Sequence, residues 1–458
     1  MKRLLALILF IFLLSGCAAP APEVTGPTDP LTLAMTQKLT AKAVESLPLA
    51  SDTMSKDELR QLCLAYFELQ LSFHWTPSRS VTDYPSTYAN VKKTLDKGTV
   101  YGGIPYQSLG TGNLYRWLEY YDEATGLFDI DRARAENGGD AVTSVERDKN
   151  GNITYYRYRW MRALFNQCSV ASFWGWGRVI NSASFAWTSE MNVYNGFIPV
   201  GGYTYGYTHN GKYYGPETIV RFGDRDASCN PIGYDTKDVI EDWKKAQGEE
   251  AMLRCYAQMQ PADCLVSGGH AMMVREVKLY YHEDGSVNYR RSTATVLEQV
   301  EGWASESKIG RIPYKVQGGY NRVYTLLQLQ QKEYIPFTFA EFLGTDPVEP
   351  AEVTLDLDHG TVTAEMLQGA TVSSNYSISH VTVQAVDDKG EVLYRYVKKF
   401  VPSDTGGNAI ICTSLSMEKA IIPATLNRFA DKDGVSIQIL CRVSNGQEPV
   451  IWEGKLTK

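Results

Sequence analysis

Three residues, in order along this chain, have the side chains of covalent catalysis: Cys168, His270 and Glu298. Cys168 lies in FNQCSVASFWGWGRV, residues 165–179. Val170, Phe173, Trp174 and Val179 form a helix-like apolar stripe behind it, so the thiol stands at a helix start, with Asn166 as the expected cap. Backbone N–H groups converge at such a start, where they favour a thiolate and can receive an oxyanion. His270 follows two glycines and precedes Ala271, Met272, Met273 and Val274, which puts its ring at the beginning of a strand. Glu298 and Gln299 fall on a strand that pairs with it through the hairpin region at Asp284-Gly285, and alternation lets only one of the two face the imidazole. In this layout the cysteine is the nucleophile, the histidine its base, and a carboxylate orients the ring and stabilises the imidazolium. The bland alternative for any lone cysteine is an inert packing residue. Nucleophile, base and orienter in order favour chemistry.

The elements that must hold these residues read as α+β. Ser55 followed by Glu58 is a capping-box pattern opening a helix with Leu59, Leu62, Cys63, Tyr66 and Phe67 on one face, expected to end near Trp75. Gly175 and Gly177 each weaken the Cys168 helix by about 1 kcal/mol relative to alanine, so tertiary contact must support it or it breaks there. Asn150-Gly151, Asn210-Gly211 and Asp284-Gly285 mark hairpins, and residues 238–259 read as a helix. Pro347 and Pro350 bracket a linker, after which short alternating segments read as an immunoglobulin-like β-sandwich.

Taken together, Cys168-Ser169, PADCLVSGGHAMMV at 261–274 and VLEQ at 296–299 resemble the three motifs of the papain-like cell-wall cysteine hydrolases, the NlpC-type and CHAP groups. Pro261-Ala262-Asp263 stands where those enzymes commonly carry Pro-Gly-Asp before the histidine strand. Glu298-Gln299-Val300, with Trp303 further on, departs from the Glu-Gln-Asn-Trp of some CHAP members. YGGIPYQSLG, residues 101–110, is similar to their Gly-x-Pro-Tyr element. The resemblance spans residues 95–305 at most. It implies a papain-like fold, amide hydrolysis by Cys168, His270 and Glu298, and a peptidoglycan stem peptide or other cell-wall amide as substrate. Tyr106, Ser169 and Gln299 become candidates to bind substrate or oxyanion, and no cofactor or metal is implied. A transglutaminase-like protease shares the Cys-His order, but that group usually carries an aromatic soon after the histidine and an aspartate third. A wall-binding or adhesion lipoprotein that keeps the fold without catalysis is the rival from another class.

Location follows from the first residues. Lys2 and Arg3, an apolar run from Leu4 to Leu14, and Leu14-Ser15-Gly16-Cys17 form a lipoprotein-type signal, with Cys17 as the lipidation site. The expected organisation is signal and lipobox over 1–17, a tether over 18–50, the hydrolase with its helical N-terminal part over 51–345 and the sandwich over 346–458. An extracytoplasmic body anchored to a membrane follows. A hydrophobic content of 44% against 21% charged residues is that of a folded chain, and a net charge of −7 argues against nucleic acid as a partner. Besides Cys17 there are seven cysteines, an odd number, with no CxxC pair and no zinc spacing. Cys412 and Cys441 are either a bridge across the sandwich or small core residues. His74, His209, His282, His359 and His380 read as surface or turn histidines, and Asp356, Asp358 and His359 as a solvated strand end rather than a metal site.

Overall fold

The capping box at Ser55 is formed: its side chain accepts from the Glu58 N–H while the Glu58 carboxylate accepts from the Ser55 N–H. It opens helix α1, Lys56–Ser72, whose Leu59, Leu62, Cys63, Tyr66 and Phe67 are all buried. Burying side chains of this size contributes about 1.5–3 kcal/mol each. The helix ends at Ser72 rather than near Trp75, because His74–Pro77 is already a strand, paired with Val100–Gly102 and Leu127–Phe128. The computed structural model describes residues 43–84, 93–107, 110–122, 124–147, 149–151, 153–181, 188, 191, 197–201, 207–209, 212–214, 240–241, 244–245, 247–300, 305–309, 312–316, 322–357, 362–399 and 412–458. The signal, Cys17, most of the tether, and His359 lie outside them. No described helix is long and apolar enough to cross a membrane.

The chain is mixed α+β, with two buried cores. The first runs from Val44 to Val348 and is organised by α1, by helix α2 (Cys168–Trp176) and by a six-stranded antiparallel sheet. In chain order its strands are β1 (Ile198–Pro199), β2 (Cys264–Ser267), β3 (His270–Lys278), β4 (Thr293–Leu297), β5 (Arg322–Thr325) and β6 (Ile335–Thr338). Their spatial order is β5-β4-β3-β2-β6-β1. Helix α2 packs between α1 and β3. Gly175 explains how: a Cβ there would lie 2.8 Å from Met273 Cε and 3.2 Å from Phe67 Cβ, so glycine is what lets the helix approach both neighbours. The helix therefore continues through Gly175 and stops at Trp176, with Gly177 as its C-cap. The run 238–259 is helical in two pieces: the described residues 240–241, 244–245 and 247 are helical, and Gly248, at φ +88°, separates them from a second helix at Glu250–Tyr256.

The second core, Val362 to Leu456, lies with two antiparallel sheets. One has three strands, β7 (Val353–Leu355), β8 (Thr371–Ser374) and β11 (Ser414–Ser416). The other runs β10-β9-β12-β13, from Val392–Lys399, Ile378–Asp387, Val435–Val443 and Val450–Gly454. Cys412 and Cys441 are both buried in this core, where the Cys412 thiol donates to Ser414 O at 3.2 Å. His380 is not the surface residue expected from sequence: it is buried on β9 with Glu119 at 3.8 Å and Glu448 at 3.4 Å from its Nε2. The first core contributes Glu119, which Arg395 grips through both oxygens at 2.6 and 3.0 Å. Arg116 Nε donates to Ser379 O at 2.7 Å, and Tyr376 Oη to Val179 O at 3.1 Å, so the two cores are joined by charged and polar contacts.

Candidate active site

Cys168 is the first residue of α2. The cap is Gln167, whose side chain does not bond to the helix N-terminus, rather than Asn166. Asn166 is held in extended backbone instead, its N–H donating to Pro105 O at 3.2 Å and its carbonyl accepting from Gln107 N–H at 2.8 Å, with bridges to Tyr106 and Thr111. Gly112 makes this clamp possible, since a Cβ there would collide with Leu164 O at 1.9 Å. The Tyr106 segment thus fixes where the helix begins, and with it the sulfur.

His270 is placed by a turn. Arg60 of α1 donates Nη1 to Asp263 Oδ1 and to Pro261 O, each at 2.7 Å, and both members of the ion pair are buried. Ala262 between them has φ +67°, the left-handed region that glycine occupies without cost, which is why a Pro-Gly-Asp turn would suit the same place. Trp176 Nε1 at the end of α2 donates to Ala262 O at 2.8 Å, tying the helix that begins at Cys168 to the turn that launches β2. Register then pairs Ser267 with His270 across β2 and β3.

Three of the residues read from sequence meet. His270 Nε2 lies 2.7 Å from Glu298 Oε2, and its ring is also hydrogen-bonded to the Cys168 thiol. With Nε2 given to the carboxylate, Nδ1 is the nitrogen left for sulfur. Glu298 stands just past the end of β4 and is 1% exposed. Gln299 is buried and donates Nε2 to Ile104 O at 2.7 Å, so its amide steadies the Ile104–Tyr106 segment instead of facing the imidazole. Ser169 is buried in the first turn of α2, and its backbone also stabilises the thiolate. Tyr106 is half-buried beside Asn166.

Electrostatics follow the geometry. Burial opposes a charged sulfur, but the hydrogen bond and charge of His270 outweigh it, and the Cys168 thiol is held below its ordinary range. Burial likewise opposes the imidazolium, yet hydrogen bonds and charge from Cys168 and Glu298 push His270 up to about 10. The favoured state is a thiolate–imidazolium pair backed by a carboxylate. Cys63, Cys255, Cys264 and Cys441 go the other way, their thiols raised by burial, and are inert packing residues by the same physics.

Two neighbours were not anticipated. Arg322 Nη1 donates to Glu298 Oε1 at 3.2 Å, and the Tyr334 ring packs edge-on against His270 with centroids 6.4 Å apart. The alternation of Arg322 and Tyr324 along β5 was the only available signal for the first, and Tyr334 had none. Among the described residues no group of His, Cys, Asp and Glu could hold a metal ion. Comparison of the chain with family models, with curated proteins and with solved structures returns no match.

Proposed function

We propose that the protein is a cysteine amide hydrolase of papain-like architecture with a C-terminal β-sandwich, acting on peptidoglycan stem peptides or a related cell-wall amide. The observation that carries this reading is the hydrogen-bonded chain from Cys168 through His270 to Glu298, with the thiol lowered and the imidazole raised. His270 takes the thiol proton, the thiolate attacks the amide carbon, and His270 returns the proton to the departing amine. The acyl–sulfur bond is then cleaved by water, with His270 as general base. Backbone N–H groups of the first turn of α2 receive the oxyanion, and Glu298 keeps Nδ1 turned to sulfur throughout. The substrate class and the envelope location rest on the motif resemblance and on the lipoprotein-type N-terminus with Cys17.

A second reading, a wall-binding module, draws on one observation: Cys168 is only 6% exposed. Mass spectrometry of muropeptides after incubation with wild type and Cys168→Ala separates the two. Release of fragments by wild type alone is the expected result. Equal binding of wall fragments by both proteins, with no release by either, favours the module.

A further inference from the structure

We infer that Arg322 is a specificity-determining residue that receives a carboxylate of the substrate beside the reacting thiol. This rests on the hydrolase reading above and names a chemical feature of its substrate. Glu298 divides its two oxygens, Oε2 to His270 and Oε1 to Arg322. A guanidinium serving only as counter-ion to a buried carboxylate would be buried with it. Arg322 is instead 54% exposed at the side chain, against 1% for Glu298 and 20% for His270, so the cation faces outward from the top of the constellation.

Its position is braced. Arg322 lies opposite Val296, two residues before Glu298 on the neighbouring strand, and its Cζ sits 5.2 Å from the centroid of the Tyr324 ring. Tyr324 packs on Tyr334 at 6.2 Å and Tyr334 on His270 at 6.4 Å. An aromatic ledge therefore runs from the guanidinium to the imidazole, holding the cation at a fixed distance from the chemistry. Measured through Glu298, whose oxygens lie 3.2 Å from the guanidinium and 2.7 Å from the imidazole, the two groups are about two peptide residues apart at about 3.8 Å each. The planar fork has five N–H donors, of which Nη1 serves Glu298, and it is the group best shaped for a carboxylate.

Charge points the same way. A thiolate, an imidazolium and Glu298 together carry one negative charge, in a chain of net charge −7. Without Arg322 this site would repel an acidic peptide; with it the set is neutral and offers one exposed cation to an incoming anion.

The test uses the tetrapeptide alanyl-γ-glutamyl-lysyl-alanine in two forms, one with free carboxylates and one with every carboxylate converted to a carboxamide. Calorimetry on the Cys168→Ala protein reads binding, and wild type reads kcat/KM by mass spectrometry. The acid form is expected to be favoured about tenfold or more, the size of a charge-assisted hydrogen bond. Adding Arg322→Gln should make the two forms converge, and Arg322→Lys, which keeps the charge but not the fork, should restore only part of the preference. Equal affinity for the two forms, no binding of the acid form, or a preference that survives Arg322→Gln would each overturn the inference. Hydrolysis of both forms at equal rates would sink it while leaving the hydrolase reading intact. Arg322-dependent binding of the acid form without hydrolysis would do the reverse. Should the glutamine variant fail to fold, the lysine variant alone decides, by whether most of the preference is lost.

Discussion

Replacing Glu298 with glutamine keeps the shape of the site and removes one charge, so it isolates what the carboxylate does. At 2.7 Å, unit charges in a medium of effective dielectric about 20 attract by about 6 kcal/mol. Little of that survives as a difference. Arg322 already draws on the same carboxylate from 3.2 Å, and a glutamine carbonyl still accepts the ring N–H. What remains is the gap between a charge-assisted and a neutral hydrogen bond, about 1–2 kcal/mol, or about one pKa unit at His270. The sign is downward, since Glu298 is one of the groups that raise the imidazole. A weaker imidazolium holds the thiolate less well, so the ratio of ion pair to neutral pair falls about tenfold.

The assay is the rate of Cys168 alkylation by iodoacetamide as a function of pH, read on the peptide containing residue 168. In wild type the reactive thiolate persists well to the acid side of an ordinary cysteine, because its folded pKa is depressed. In Glu298→Gln the rate at pH 6 should fall by up to about fivefold, since a tenfold drop in the ratio removes no more than that from a pair that favours the thiolate, while the rate above pH 10, where the thiolate forms regardless, stays the same. Hydrolysis should fall further, by orders of magnitude, if the amide rotates and enforces the wrong tautomer. An unchanged rate at pH 6 would refute the assignment of Glu298 as the orienting charge. A uniform drop at every pH would mean that the substitution had damaged the fold rather than the electrostatics.

Three further outcomes are expected. Arg60→Met should lower unfolding stability by about 3–5 kcal/mol in urea denaturation, because it strands the buried carboxylate of Asp263; a loss below about 1 kcal/mol would show that the pair does not lock the turn. Gly175→Ala should be neutral to about 2 kcal/mol destabilising, the helix-propensity gain being offset by the clash with Phe67 Cβ and Met273 Cε, and a clear rise in Tm would contradict the close approach. The joint between the cores should weaken in acid: burial raises Glu119, but the Arg395 hydrogen bond and nearby cations outweigh it and hold Glu119 at about 2, while burial keeps His380 below its usual range. Both shifts give stability that is complete above the ordinary pKa values and lost as pH falls, from about 6.5 for His380 and from about 4.5 down to 2 for Glu119, with up to about 3 kcal/mol at stake for the latter. Arg395→Gln should flatten that acid dependence, as measured by denaturation midpoints between pH 7 and 3.

What was legible in the sequence was local, and what was not was the product of chain segments far apart. The Ser55 capping box, the helix starting at Cys168 and the strand starting at His270 are each encoded within a few neighbouring residues, and each is present. Alternation restricted the third position to Glu298 or Gln299, and only the pairing with β3 and the contact of Gln299 with Ile104 decide between them. Asn166 looks like a cap because short polar residues usually are, yet the Pro105–Gln107 segment claims its backbone and moves the cap to Gln167. His380 carries no local sign of burial; it lies on a strand paired on both sides, with Glu119 and Glu448, distant in sequence, beside its ring. Arg60 and Arg322 show the same thing at the site. One is an ordinary position on the first helix, the other an ordinary edge-strand arginine, but the first fixes the turn before His270 and the second shares the carboxylate behind it. The Cys168–His270 pair is written in short motifs, whereas the charges around it come from residues whose positions exist only once the chain has folded.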